Sequence, residues 1–347
     1  MKKLVAVLMV LALCLSFTGA LAADKIGVAM PTQSLQRWNQ DGANMKAQLE
    51  AAGFEVDLQY ADNNVAMQVT QLEAMIAGGC KVLVIASIDG GSLNTVLSDA
   101  KAAGIPVIAY DRLIMGTDAV SYYATFDNYM VGTIQGQYIE KALDLQNAAG
   151  PFNVEIVGGS PDDNNARYFY MGAFDVIKPY IDAGKVVVPS GQVEFEAIAT
   201  PAWSSEKSQA RMDNLLSAYY ADGKKLDAVL CSNDSTALGV TQSLTLAGID
   251  PFPIITGQDC DIANTKNIIA GKQSMSIFKD TRTLAKQVVA MVQDIMAGKV
   301  PETNDNKTYD NDVLVVPTYL CAPVFADVNN YKELLIESGY YTEDQLK

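Results

Sequence analysis

The sequence predicts an α/β protein made of two doubly wound lobes, each with a parallel sheet covered by helices. Short runs of apolar and β-branched residues alternate with helix-length segments along the chain, which is typical of βαβ units and of parallel strands buried on both faces. The alternation restarts after Asp127. One sheet of about eleven strands would be unusually large, so two sheets of about five or six strands are favoured.

The first half of the chain supplies the elements of one lobe. Strands are expected at 25–30, 54–60, 82–87, 106–110 and 122–126. Helix-length patterns lie between them at 36–52, 65–79 and 92–103. Strands joined through helices in this way pair in parallel.

The second half repeats this order. A helix is expected at 130–145, and strands at 154–157, 186–188, 228–231, 254–256 and 274–278. A helix at 282–297, a polar stretch at 301–312, a strand-like run at 313–319 and a terminal helix follow.

Composition excludes several classes of function. The 347 residues are 49% hydrophobic and carry 25 Lys and Arg against 40 Asp and Glu, a net charge of -15. This acidity argues against nucleic acid or an anionic membrane surface as a partner. The chain has no histidine, which excludes Ser-His-Asp and Cys-His catalysis and histidine-based zinc sites.

The N-terminus has the pattern of a secretory signal peptide. Lys2 and Lys3 precede an apolar run at 4–15, and the small residues at 18–22 end in an A-x-A cleavage pattern. A membrane anchor is the alternative, but the run is shorter than the roughly 20 residues that span a bilayer. Lipidation at Cys14 is disfavoured because Leu13 precedes it. We therefore expect cleavage after residue 22 and a periplasmic location.

Four further cysteines are too sparse for a disulfide scaffold. The sequence contains no CxxC pair of the kind that would indicate a metal site. They are Cys80, Cys231, Cys260 and Cys321. Cys231 and Cys260 follow two strands expected to be neighbours, so they are the pair to expect if a disulfide forms. Free buried thiols are the alternative.

Polar residues follow many of the predicted strands. They lie at 87–89, 110–112, 126–128, 232–234, 258–259 and 279–280, and ligands of open parallel sheets bind beyond the carboxyl ends of strands. Helix capping is the alternative for Asp89, Asp234 and Asp280. It does not explain the Arg and Lys neighbours, so we expect a cleft suited to a neutral polyhydroxylated ligand.

The motifs together resemble the periplasmic monosaccharide-binding proteins of ABC transporters. In the first half they are 26–31 with Arg37-Trp38, then 82–89, 107–112 and 123–128; in the second half they are 159–166, 210–216, 257–259 and 278–280. The likeness covers essentially all of the chain after residue 22. It is greatest to proteins that bind glucose, galactose, xylose and arabinose, and to xylose-binding proteins.

The resemblance implies the type I periplasmic binding protein fold, with Rossmann-like lobes, a hinge and a ligand cleft between the lobes. Crossings are expected near 128–131, 279–283 and 304–313. One lobe then comprises 23–130 and 282–305, and the other 131–281 and 306–347. Closure of the hinge on the sugar is implied.

The resemblance also places the ligand-binding residues. Polar contacts are implied for Arg37, Asp111, Arg112, Asp163, Asn165, Asn233, Asp259 and Lys279, and apolar ring faces for Trp38 and Trp203. No role is assigned to Arg167. The sequence at 232–234 is nearer the xylose and ribose type, so the preferred sugar stays open. No cofactor or metal is implied, and Asp305, Asp310 and Asp312 are interpreted as a solvated hinge rather than a calcium loop, because the EF-hand glycine is missing.

The implied partners are a monosaccharide and the permease and ATPase of an ABC transporter, with the protein as a monomer. A chemoreceptor or sensor domain stays open as a further partner. Three other functions share this cleft or fold: a glycosidase, a quorum-signal receptor and a repressor-type regulator. The glycosidase is disfavoured because basic and amide neighbours should keep Asp111, Asp163 and Asp259 ionised, whereas acid catalysis needs one raised pKa. The signal peptide and the absence of a basic helix-turn-helix segment disfavour the regulator.

Overall fold

Two sheets form the centres of two lobes in the computed structural model, which describes residues 23–347. The signal peptide expected at 1–22 lies outside the described residues. In chain order the strands are β1 (Lys25–Met30), β2 (Glu55–Tyr60), β3 (Val82–Ile85), β4 (Val107–Tyr110), β5 (Val120–Phe126), β6 (Phe152–Val157), β7 (Val186–Val187), β8 (Ala228–Cys231), β9 (Ile254–Ile255), β10 (Met275–Phe278), β11 (Thr318–Cys321) and β12 (Val324–Asp327).

Helices connect most of these strands. They are α1 (Gln36–Ala51), α2 (Val65–Ala77), α3 (Asn94–Ala102), α4 (Asn128–Ala142), α5 (Asn164–Asp182), α6 (Phe195–Ile198), α7 (Ser205–Tyr219), α8 (Asp234–Leu246), α9 (Ile262–Ile269) and α10 (Thr281–Met296). Short helical turns cover Pro201–Trp203, Lys332–Glu337 and Glu343–Leu346. No helix among residues 23–347 is long and apolar enough to cross a bilayer.

The first lobe contains a six-stranded sheet in the order β11-β5-β4-β3-β1-β2, with every pair parallel. All four residues of β3 and of β4 are buried, because helices cover both faces of the sheet. α1 and α10 pack on one face, where Met45 and Val288 join the core. α2 and α3 pack on the other face, where Leu72 and Leu97 are buried.

The second lobe has a four-stranded parallel sheet in the order β7-β6-β8-β9. An antiparallel pair, β10 and β12, continues beside it. A bridge between Gln258 and Ile277 joins the chain just after β9 to β10. The predicted α/β class with two sheets is therefore confirmed.

The strand that follows the polar stretch lies in the other lobe from the one expected. The resemblance places 306–347 in the second lobe, but β11 pairs with β5 in the register Thr318 to Tyr123 and Cys321 to Phe126. Tyr309 and Val316 are buried in the first lobe's core. The assignment is therefore wrong for 306–321, and the chain crosses at 322–323 rather than at 304–313. Of the predicted run at 313–319 only Thr318 and Tyr319 lie in β11, while Val313 and Val315 precede it and are exposed.

The expected disulfide between Cys231 and Cys260 is not formed. Cys80, Cys231, Cys260 and Cys321 are all free and buried, so the Cys231–Cys260 disulfide is wrong. Cys231 packs in the core beneath α7 and α8, whereas Cys260 belongs to a separate cluster with Phe278 and Tyr341.

The acidic stretch near residue 310 forms ordinary turns in the first lobe. Asp305 accepts from the backbone amides of Lys307 and Thr308, and Asp310 accepts from that of Asp312. Among residues 23–347, no group of three or more Cys, Asp or Glu side chains is arranged to hold a metal ion. The interpretation of this stretch as a hinge is wrong, because both flanks belong to the first lobe.

In the second lobe, α4 and α5 pack so closely that their backbones are in contact at two glycines. A Cβ on Gly132 would lie 2.0 Å from the carbonyl oxygen of Phe169, and a Cβ on Gly172 would lie 2.0 Å from that of Tyr129. Neither position can accept a side chain unless the two backbones separate.

Replacing Gly132 with Ala is expected to lower the free energy of unfolding by about 1–3 kcal/mol, because the added methyl group overpacks a backbone contact. Urea denaturation followed by circular dichroism measures it. Gly91→Ala is the matched control, since the nearest atom to its Cβ would be 3.6 Å away. Equal stability of the two variants would contradict the packing argument.

Candidate ligand-binding site between the lobes

A cavity lies where the carboxyl ends of the two sheets face each other. All ten residues predicted to bind ligand line it: Arg37, Trp38, Asp111, Arg112, Asp163, Asn165, Trp203, Asn233, Asp259 and Lys279. Sequence reasoning missed five further lining residues, Leu35, Phe169, Ser235, Gln258 and Asp261.

Three of the five missed residues carried a signal in their position. Gln258 and Asp261 flank the predicted Asp259, and Ser235 lies two residues after Asn233. Loops at strand ends bring several consecutive side chains to the same edge of a sheet. The resemblance selected only some residues of these loops, so their neighbours Ser235, Gln258 and Asp261 were not predicted.

Arg37 is the centre of the cavity's charge network. It lies in the first turn of α1 and is buried. Its Nε is 2.9 Å from Oδ2 of Asp41, its Nη1 is 3.4 Å from Oδ1 of Asp259, and its Nη2 pairs with Asp111. Lys279 adds a second cation, with Nζ 3.3 Å from Asp259 Oδ1 and 3.8 Å from Asp111 Oδ2. The network therefore joins side chains of both lobes.

Burial and charge act in opposite directions on these carboxyl groups. Burial favours the neutral form of Asp111, but Arg37 and Lys279 outweigh it and lower its pKa. Asp41 is completely buried, and this raises its pKa even though Arg37 opposes the shift. The Tyr110 hydroxyl donates to Asp41 from the end of β4.

A second ion pair bridges the lobes between Arg112 and Asp163. The Arg112 Nε lies 2.9 Å from Asp163 Oδ2, and Nη1 donates to the carbonyls of Ser87 and Ile88 at 3.0 and 3.3 Å. Burial raises the pKa of Asp163 although Arg112 opposes it. The pKa shift expected from basic neighbours is therefore found at Asp111, whereas at Asp163 burial outweighs Arg112 and the shift has the opposite direction.

The backbone of Asp111 is held in a strained conformation. Its φ of 61° lies in the left-handed region, which is costly for a residue with a side chain. Its carbonyl accepts from Tyr123 Oη at 2.6 Å, Thr125 Oγ1 at 2.9 Å and Asn165 Nδ2 at 2.6 Å. Asn165 comes from α5, so the second lobe helps to hold a side chain of the first in the cavity.

The two tryptophans lie in different surroundings. The guanidinium carbons of Arg37 and Arg112 lie 5.0 and 5.1 Å from the Trp38 ring centre, so this ring supports two cations. Trp203 packs on Gly159, where a Cβ would come within 2.1 Å of the indole. Its Nε1 is buried without a hydrogen-bond partner among the described residues.

Helix capping and cavity lining are combined at two positions. Asn233 caps α8 through a hydrogen bond from the Thr236 amide, and Asp163 caps α5 through one from the Asn165 amide. Of the caps expected from sequence, Asp280 caps α10.

The capping predictions for Asp89 and Asp234 are wrong. The Asp89 carboxylate accepts a hydrogen bond from the Gly91 amide, and both residues precede α3, which begins at Asn94. Asp234 is buried inside the first turn of α8 and accepts from Gln273, Ser276 and the Asp261 amide.

The arrangement offers ionised acceptors, cationic donors and amides from two sides, together with an indole ring. Each of these groups matches the hydroxyl groups or the C–H face of a neutral polyol. Gln258 Oε1 and Asp261 Oδ1 are buried acceptors without partners among the described residues. Each can therefore accept a hydrogen bond from a bound ligand.

Comparison with known proteins gives consistent matches along the chain. Residues 26–300 match the family model described as "Periplasmic binding protein domain". The multiple sugar-binding periplasmic receptor ChvE of Rhizobium radiobacter is 54% identical over 94% of this chain and 94% of its own length. The D-xylose-binding periplasmic protein of Escherichia coli (strain K12) is 36% identical over 93% and 92%. An ABC transporter solute-binding protein from Clostridium phytofermentans with bound β-D-glucose is 68% identical, with a TM-score of 0.92 over 93% of this chain and all of the other.

Replacing Asp111 with Asn is expected to lower the free energy of unfolding at pH 7 by about 3 kcal/mol, because Arg37 loses a buried ionised partner. The pKa of Asp111 is lowered in the folded protein, so this contribution is present above the usual pKa of 3.8 and is lost as the pH falls through the folded value.

Urea unfolding at pH 7, 5 and 3 measures the difference between the two proteins. It should be largest at pH 7 and smallest at pH 3. Asp99→Asn is the control, since Asp99 is exposed on α3. A difference that stays constant across this range would refute the proposed role of the Asp111 charge.

Proposed function

The chain belongs to the periplasmic binding protein family, and from this premise we propose that it captures a monosaccharide between its lobes for an ABC transporter. The observation that carries the proposal is the cavity itself, lined by charged and amide side chains from both lobes. A ligand that contacts both sheets favours the closed arrangement, because it gains contacts only when the lobes meet.

Recognition would rest on charge-assisted hydrogen bonds. Each bond between a sugar hydroxyl and an ionised group contributes about 1.5–3 kcal/mol. Asp111 and Asp259 would accept from hydroxyls, while Arg37, Arg112 and Lys279 would donate. A sugar hydroxyl both donates and accepts, so it can join this network without leaving a buried charge unpaired.

Trp203 would supply the apolar contact. Its ring is anchored against Gly159 and lies 6.3 Å from the ring centre of Phe169. A pyranose presents C–H groups on its faces, which suit an indole surface. Trp38 would act mainly by supporting the two guanidinium groups above it.

We favour a pyranose of the glucose, galactose, xylose or arabinose type. The Clostridium phytofermentans protein with bound β-D-glucose supports glucose as the first sugar to test. The xylose-binding relative supports a pentose as the second. The names of the ChvE receptor and the D-xylose-binding protein describe sugar binding, and we propose binding rather than catalysis for this chain.

The remaining roles follow the relatives. Their names place them in the periplasm, and we propose the same location, reached through the signal peptide at 1–22. We propose that the protein acts as a monomer and delivers the sugar to a permease with its ATPase. A sensor domain is an additional partner in the same proposal.

Calorimetric titration with glucose, galactose, xylose, arabinose and a furanose tests the function. We expect one pyranose to bind with a stoichiometry of one. Replacing Asp111 with Ala should weaken it by about 2–5 kcal/mol, roughly 30-fold or more, because a hydroxyl acceptor is lost and the nearby cations are left uncompensated. Asp99→Ala should bind as the parent does. If none of the sugars binds, the proposed function is wrong.

Sugar binding should also change tryptophan fluorescence. Both tryptophans are already buried, with 3% and 5% of their surface exposed, so the change should come from direct contact with the Trp203 ring. Trp203→Phe should therefore remove most of the signal, and Trp38→Phe should remove less. A full signal in Trp203→Phe would rule out the assigned contact.

A further inference from the structure

Asp261 is a carboxyl group of the cavity that the ion pairs described above leave out. It lies two residues after Asp259 and directly before α9. Its backbone amide donates to Asp234 Oδ2 at 2.8 Å, which fixes the position of the residue. Its Oδ1 is buried and has no hydrogen-bond partner among the described residues.

The charged and titratable groups around Asp261 do not compensate it. Asp259 lies on the same loop, and its charge raises the pKa of Asp261. Asp234 of α8 is a further acid, and burial followed by the charge of Asp261 raises its pKa as well. Arg37 of α1 is the cation that acts on it, but its guanidinium already pairs with three other carboxylates. Cys260 and Tyr341 are the other titratable neighbours; burial raises the pKa of each, so both stay neutral near pH 7.

These surroundings favour the neutral form of the carboxyl group. Burial first, and then the charge of Asp259, raises the pKa of Asp261 to about 7, against the opposing effect of Arg37. Burial raises the pKa of Asp234 too, but the two residues differ in hydrogen bonding, because the Asp234 side chain accepts three hydrogen bonds. Asp261 therefore lacks a donor that Asp234 already has.

We propose that Asp261 is a further contact for the sugar: a hydroxyl group donates to Oδ1, and sugar binding at neutral pH releases a proton from this carboxyl group. This inference rests on the proposed function. The donated hydrogen bond favours the ionised form. The proton passes from the carboxyl group to the buffer, and the sugar hydroxyl keeps its own hydrogen.

Calorimetry in two pH 7 buffers of different ionisation enthalpy counts the protons released. The sugar is the pyranose that binds most tightly in the panel above. Release of a fraction of a proton per sugar is expected at pH 7, because a group with a pKa of about 7 is partly protonated before binding. Affinity should rise about tenfold between pH 6 and pH 8.

Asp261→Asn separates this role from a structural one. The amide keeps an acceptor oxygen but cannot titrate, so proton release should vanish and affinity should no longer depend on pH. Asp99→Asn should behave as the parent. Proton release that persists in Asp261→Asn would overturn the proposal, because the proton would then come from another buried carboxyl group such as Asp163 or Asp234.

Sugar binding by the parent without proton release, or with proton uptake, would also overturn it. This result needs no variant, so the proposal stays testable even if Asp261→Asn fails to fold. If no sugar binds at all, the proposed function fails and this inference fails with it. The two failures are therefore distinguishable.

Discussion

The buried guanidinium of Arg37 is the constraint on which the cavity depends. Taking a charge of this kind out of water costs several kcal/mol, and only well-placed partners offset the cost. Asp41 supplies one partner from the same helix, Asp111 supplies one from the neighbouring strand end, and Asp259 supplies one from the other lobe. Arg37 therefore has two partners in its own lobe and gains a third, at 3.4 Å, from the other lobe.

The need to place these partners explains the local distortions around the cavity. Asp111 and Asp259 have φ values of 61° and 100°, and Trp203 has one of 55°. Such conformations persist where the surrounding structure holds them. At Asp111 three donors on one carbonyl provide that support, and one of them crosses from the second lobe. Strain, ion pairing and the contact between lobes are thus parts of one arrangement.

A buried ion network contributes little net stability compared with an apolar core. Its position at the meeting of two sheets is better explained by recognition, since each group can exchange one polar partner for another. The spare acceptors on Gln258 and Asp261 agree with this reading. The aliphatic cores beneath both sheets, which contain residues such as Val84 and Leu230, provide the rigidity that the site itself does not.

Most strands of the two sheets leave local signals in the sequence, although β12 is not among the predicted strands, whereas the ten cavity residues were implied by the resemblance to monosaccharide-binding proteins. Buried parallel strands are continuous apolar runs, and polar residues at their ends are conspicuous in number and type. Long-range pairing leaves no such signal, and this is why β11 was assigned to the wrong lobe. The pairing of Arg37 with Asp41 and the buried position of Asp234 were also missed, since both depend on which faces of α1 and α8 meet a neighbouring element.

A crystal structure of the protein with D-glucose is the most direct test of the central claim. The account predicts one sugar ring between the lobes, against Trp203, with hydroxyls within hydrogen-bond distance of Asp111, Asp259 and at least one of Arg37, Arg112 and Lys279. A sugar bound elsewhere, or one that leaves the Arg37 network without a direct contact, would contradict the account.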